Sequence, residues 1–262
     1  MDNLGYDKPL YILPFDHRAT FATNMFGLNV VEDLNGEQTN LIKEFKLLIY
    51  LGFKDSLNKG IPKESAAILC EEQFASEILE DARRNGYITI LTTEKSGSSE
   101  FKFQYDKDFK WHIDKFKPKF TKVLLRYNPS DNSDLKQRQK TNLKLLSDFS
   151  HENGYKFLLE ILVIPTEEQL MRAGNREGYD ASLRPLLTKE IIITKSIKNQ
   201  NKMFNIPAKT SRIPKGFNIR PTAIFNKKRL PVAIVDCIAW KRINLSSFST
   251  KRITIPVINP RT

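Results

Sequence analysis

Leu10-Tyr11-Ile12-Leu13-Pro14-Phe15-Asp16-His17-Arg18 runs from an apolar stretch directly into a carboxylate, an imidazole and a guanidinium. Four apolar residues closed by a proline have the length of a buried strand, so the polar sequel places reactive groups at a strand end. The order recurs. Ala66-Ala67-Ile68-Leu69-Cys70 leads into Glu71-Glu72-Gln73, Ile88-Thr89-Ile90-Leu91 into Thr92-Thr93-Glu94-Lys95-Ser96-Gly97, and Val123-Leu124-Leu125 into Arg126-Tyr127-Asn128-Pro129. A fifth apolar run, Tyr155 to Ile164, closes on Pro165 and is interrupted by Glu160.

Segments of helical period lie between these runs. They carry Leu41, Ile42, Phe45, Leu48 and Ile49, then Ile78, Leu79 and Ala82, then Phe109, Ile113 and Phe116, then Leu143, Leu146 and Phe149. Asn58-Lys59-Gly60, Asn85-Gly86 and Asn153-Gly154 supply the glycines that end helices. Strand and helix therefore alternate through about 190 residues, which predicts an α/β fold with a parallel sheet, because parallel pairs need helical crossovers. A doubly wound sheet and a (β/α)8 TIM barrel both fit. Polar groups after every strand favour the barrel, whose active sites sit at the C-terminal strand ends, and no Gly-x-Gly-x-x-Gly turn follows the first strand.

At 262 residues and 40% hydrophobic content the chain suits one α/β barrel or two smaller domains. No run approaches 18 apolar residues and the N-terminus lacks a basic-then-apolar leader, so the expectation is a cytoplasmic protein with no membrane partner. Cys70 and Cys237 cannot form a disulfide framework, and His17, His112 and His151 show no ligand spacing; no metal and no cofactor are expected.

The formal net charge of +12 is unevenly placed. From Glu190 to Thr262 there are 15 Lys and Arg against two acids, a net of +13, which leaves residues 1–189 at −1. The division expected is a barrel portion over 1–199 and a basic tail over 200–262. Pro207, Pro214, Pro221, Pro231, Pro256 and Pro260 punctuate the tail and Gly216 is its one glycine, which supports neither long helices nor glycine-capped turns. Pro231 to Val235 and Ile253 to Ile258 still read as strands. A shifted reading frame and natural divergence both fit this change, and the last three strand-helix units of the barrel read as degraded or replaced.

Glu160 is the most telling candidate, since a carboxylate inside an apolar strand needs a partner. Alternation puts Lys122, Leu124 and Arg126 on one face of the neighbouring strand, so Lys122 or Arg126 can reach it, either as a buried ion pair or for proton transfer. Asp16, His17 and Arg18 suit chemistry at a carbonyl or phosphate, with a helix cap as the alternative role for Asp16. Glu94-Lys95-Ser96-Gly97 offers a cation and backbone donors, and Arg126 and Arg184 suit bidentate anion binding, Arg184 from a loop before Pro185. Cys70 reads as an inert buried thiol, Trp111 and His112 as packing groups, and His151 as a partner of its helix dipole.

Taken together, Leu13 to Arg18, Ala67 to Phe74, Thr93 to Gly97, Lys122 to Pro129 and Phe157 to Val163 resemble the 2-deoxy-5-keto-gluconate 6-phosphate aldolase domain found fused to a sugar-acid kinase in bacterial inositol catabolism. The resemblance covers roughly residues 8 to 195, and more distantly the chain is similar to class I tagatose-bisphosphate aldolases. The family's Asp-Gln-Arg after strand 1, lysine in strand 4 and glutamate in strand 5 fall on Asp16-His17-Arg18, Lys122 and Glu160; the site expected has Asp16, Lys122 and Glu160 as catalytic residues, with His17, Arg18, Gln73, Glu94, Lys95, Arg126 and Arg184 binding substrate. The activity implied is cleavage of a phosphorylated keto sugar acid to dihydroxyacetone phosphate and malonate semialdehyde. It also implies a Schiff-base lysine in a Trp-Lys-Ile-Glu-Gly-like sixth strand, about 20 residues after Leu183-Arg184-Pro185. No such segment occurs there, and neither Lys209 nor Lys241 is assigned to the role. An inactive barrel remnant with an out-of-family tail, and a nucleic-acid-binding protein acting through that tail, are the competing readings; nucleic acid is not the expected partner, and a homo-oligomer is compatible with either.

Overall fold

The computed structural model describes residues 6–28 and 34–193. Each apolar run forms a strand: β1 Tyr11–Pro14, β2 Ala66–Cys70, β3 Ile88–Thr92, β4 Phe120–Tyr127 and β5 Lys156–Val163. All neighbours pair in parallel in the order β1-β2-β3-β4-β5, giving a curled half-barrel. Among the described strands the order is strictly sequential, without the reversal point of a doubly wound sheet, which favours the barrel alternative. β1 is displaced by one residue from the expected Leu10 to Leu13 and includes Pro14, which is tolerated because β1 is an edge strand among the described residues and the missing N–H is not needed for pairing with β2.

Two helices join β1 to β2, α1 Ala19–Phe26 and α2 Gly36–Asn58. The later crossovers are single helices, α3 Glu72–Arg84, α4 Phe109–Phe116 and α5 Ser133–Glu152, and β5 is followed by α6 Glu167–Ala173, α7 Arg176–Ala181 and α8 Leu183–Ile193. Local chemistry sets the boundaries. Asn35 and Gln38 close a capping box on α2, as Thr166 and Gln169 do on α6, and the Asn132 side chain caps α5. Gly86 and Gly154, at φ +66° and +74°, turn the chain from α3 and α5 back into β3 and β5.

Strand alternation sorts the core into two faces. Ile68, Cys70, Leu91, Val123, Leu125, Phe157 and Leu159 pack outward against helix residues including Tyr50, Phe53, Leu79, Ile113 and Leu146. Ala67, Leu69, Ile90, Phe120 and Leu158 face the inner side and form an apolar floor. Leu79 is fully buried on α3, so Leu79→Ala is expected to lower stability by about 2–5 kcal/mol, read as a lower urea midpoint with an unchanged slope.

The inward stripe of α2 differs from the expected Leu41, Ile42, Phe45, Leu48 and Ile49. Its buried residues are Ile42, Lys46, Tyr50 and Phe53, while Leu48 is 61% exposed. The helix turns Lys46 inward because its ammonium finds partners there, and that rotation carries Leu41 and Leu48 outward. The basic segment 200–262, its strand-like runs and the last three strand-helix units lie outside the described residues. Among the described residues no helix is long and apolar enough to cross a membrane.

Candidate functional site

Above the apolar floor, the inner face turns polar at the C-terminal strand ends. Lys122 sits on the inner side of β4, 3% exposed, with its Nζ 2.9 Å from Asp16 Oδ2, 3.0 Å from Glu94 Oε1 and 3.0 Å from Glu160 Oε2. One ammonium thus holds three carboxylates delivered by the segments after β1 and β3 and by β5. Thr92 donates to Asp16 Oδ2 at 2.8 Å. The reading of Lys122 and Glu160 as partners across adjacent strands agrees with this geometry, whereas Arg126 donates instead to the Ser98 carbonyl at 3.1 Å.

Glu94 enters the cluster because the chain folds back after β3. Glu94 bridges Phe103, Lys95 N–H donates to the Lys102 carbonyl at 2.8 Å, and Gln104 N–H donates to Thr93 at 2.9 Å. The expected anion cradle at Glu94-Lys95-Ser96-Gly97 takes a different form: the Lys95 amide is used in this fold-back, and the Ser96 amide donates to Gln104 Oε1 at 3.3 Å. Arg18 is buried and braces the same segment, donating to the Glu94 carbonyl and to Gln104 Oε1, each at 2.6 Å. It sits at the N-cap position of α1 without a side-chain cap, and Asp16 bonds Lys122 instead of capping that helix.

Electrostatics sets Asp16 and Glu160 apart. Burial acts to raise Asp16, yet the charge and hydrogen bond of Lys122, aided by His17 and Thr92, hold its carboxyl well below the ordinary range. Glu160 moves the other way: burial raises its proton affinity, and the charges of Asp16 and Glu94 add to that against the pull of Lys122. Burial works against a charged Lys122, but Asp16, Glu94 and Glu160 outweigh it and raise its pKa well above that of a free lysine. Burial, with Lys122 and Lys46, lowers the His17 pKa despite Asp16, whose Oδ1 lies 4.0 Å from Nδ1. The result is a lysine favoured in its charged form, an aspartate favoured as the anion, an imidazole biased towards its neutral form and, in Glu160, a carboxyl of raised proton affinity. Glu160 is also the most open of the three, 18% exposed against 10% for Asp16 and Glu94.

The remaining candidates are dispersed. Gln73 is exposed on the first turn of α3, and Lys95 is exposed on the fold-back. Arg184 lies in α8, not in a loop, and pairs with Asp180 of α7 at 3.5 Å. Cys70 is fully buried, and burial first, then Glu71, pushes its thiol pKa far up, which leaves it inert. Trp111 corrects the packing expectation: α4 buries Phe109, Ile113 and Phe116, leaving Trp111 62% exposed. His112 bonds Glu72 at 2.6 Å and stacks on Tyr105. His151 lies in the last turn of α5, as expected, and burial first, then Lys156, lower its pKa there.

Lys46 and Glu71 are the polar pair that the sequence reading passed over. Lys46 Nζ lies 2.6 Å from Glu71 Oε1, and both side chains are at most 1% exposed. The signal was present: Lys46 falls four residues after Ile42 and four before Tyr50, on the buried stripe of α2.

No curated protein matches the chain, so the aldolase resemblance of the strand ends has no named homologue beside it. A family described as "Uncharacterized protein conserved in bacteria (DUF2090)" matches residues 5–187, a span that includes all five strands and every residue of the carboxylate cluster, and the chain belongs to that family.

Proposed function

We propose that this protein is a cytoplasmic aldolase that cleaves a phosphorylated keto sugar acid by a retro-aldol reaction to dihydroxyacetone phosphate and malonate semialdehyde. The observation that supports it is Glu160, a carboxylate of raised proton affinity bound with Asp16 and Glu94 to one buried ammonium at the C-terminal strand ends. In the cleavage, a base takes the proton from the hydroxyl on the carbon β to the carbonyl. That carbon becomes the aldehyde as the carbon–carbon bond breaks, the electron pair stays on the α-carbon, and the α-carbon then takes up a proton.

Glu160 suits both transfers. A carboxylate raised by burial is a stronger base than one in water, and after accepting the proton it is a convenient acid. Lys122 is not the nucleophile in this reading. Its three carboxylate partners keep it charged, so it anchors Glu160 and offsets part of the negative charge. No lysine of this chain is assigned the Schiff-base role that the resemblance implies, since the expected segment does not occur after Leu183-Arg184-Pro185. Arg126, near the C-terminal end of β4, is the cation assigned to the substrate's phosphate or carboxylate, while Arg18 acts by bracing Glu94.

Incubating the full-length chain with dihydroxyacetone phosphate in deuterated water tests the proposal. Enzyme-dependent exchange of an α-proton, seen by NMR, together with dihydroxyacetone phosphate release from a phosphorylated keto sugar acid, is the expected result. Folded protein that does neither overturns it. Salt-sensitive retention on generic duplex DNA without either reaction would favour the basic-segment reading instead.

A further inference from the structure

Behind the strand ends, Lys46 makes a second set of polar contacts that the carboxylate cluster does not include. Its ammonium is fully buried and has three partners: Glu71 Oε1 at 2.6 Å, the Phe15 carbonyl at 2.8 Å and the His17 carbonyl at 3.0 Å. Glu71 is itself fixed, since its other oxygen accepts from Phe74 N–H at 3.1 Å as the N-cap of α3. The clamp therefore connects α2, the head of α3 and the segment after β1.

Phe15 and His17 flank Asp16. Holding their two carbonyls on one ammonium fixes the rotation of the peptide units between them, and with it the direction of the Asp16 side chain. Asp16 in turn must reach Lys122 Nζ, 2.9 Å away on a strand 106 residues further along. A buried ion pair is a poor device for stability alone, because a well-packed apolar pair of the same volume serves as well or better. What the clamp adds is geometric.

We propose that Lys46 is a positioning residue for the strand-end site: it holds Phe15-Asp16-His17 in the arrangement that brings Asp16 onto Lys122 and keeps His17 beside it. The kinetic part of this proposal rests on the aldolase reading. The structural part does not.

The charged groups around His17 are Asp16, Lys122 and Lys46, so its imidazole reports on the clamp. The test uses NMR titration of the full-length chain, in which only three histidines contribute signals and His17→Gln identifies the one required. Lys46→Met removes a nearby cation and is expected to shift the His17 titration to higher pH. Glu71→Gln keeps the cation, removes its counter-charge and is expected to shift His17 to lower pH. General loosening would move both variants upward, towards a solvated imidazole, so opposite shifts distinguish the clamp from a fold staple. In the aldol assay, Lys46→Met is expected to lower kcat about tenfold or more with KM within about twofold, the signature of a misplaced group.

Folded variants in which His17 titrates as in the wild type would overturn the proposal. If Lys46→Met fails to fold, Glu71→Gln decides alone: a downward shift supports the clamp and an unmoved titration sinks it. An inactive wild type with opposite His17 shifts would defeat the aldolase reading and leave the clamp standing.

Discussion

Lys122→Met is expected to destabilise the protein by about 3–5 kcal/mol at neutral pH and to abolish turnover. The substitution keeps most of the volume of a side chain that is 3% exposed, so the loss is electrostatic. Three carboxylates would remain together without the ammonium that lies within 3.0 Å of each. In the wild type, the raised pKa of Lys122 means its contribution is fully present below the ordinary lysine value and is lost only as pH rises through the higher folded value. In the variant, mutual repulsion raises the carboxyls, so protonation on acidification relieves the strain. The deficit should accordingly be largest near pH 8 and shrink towards pH 5. Urea unfolding of both proteins at the two pH values measures it, and a deficit of equal size at both would show that the acids are not coupled through Lys122.

Glu160→Gln should have the opposite balance, lowering kcat by about 10²–10⁴-fold while changing stability by no more than about 1 kcal/mol. The amide preserves shape and removes only the exchangeable proton and the charge. Because the folded pKa of Glu160 is raised, its contribution to stability is complete below the ordinary glutamate value and declines as pH rises through the folded value. Above that folded value the wild type carries an ionised group that burial disfavours, and the amide does not. Its role as base predicts that wild-type kcat falls as pH drops through the raised Glu160 pKa, and that this acidic limb disappears in the variant. A pH profile of kcat for both proteins is the check. Unchanged turnover in Glu160→Gln would end the assignment.

Much of this architecture was legible because strands and crossovers speak in local patterns. The five apolar runs, the glycines closing α3 and α5, and the alternation that faces Lys122 inward all depend on near neighbours in sequence. Glu160 stood out for a simple reason, since a lone acid among Leu, Ile, Phe and Val demands a partner. Glu94 was harder. Its place beside Lys122 depends on the fold-back through Phe103 and Gln104, whose hydrogen bonds no periodicity announces. Lys46 was missed through polarity: a lysine on an apolar stripe reads as a break in the stripe until its partner, Glu71 on another helix, is known. Arg184 was misassigned because Pro185 suggests a loop, although proline is compatible with the first turn of a helix, where α8 places it.

The separation in sequence of the groups around Lys122 has a kinetic consequence. Asp16 lies 106 residues from Lys122 and Glu94 lies 28, and each pair of strands is separated by a helical crossover. No short hairpin can assemble this cluster early, because loop closure between β1 and β4 must come first. Until β1 has docked, Asp16 has no path to Lys122 and the cluster is incomplete. The cluster then acts as a late latch: it does little to speed the search for the native state, and it slows escape from it.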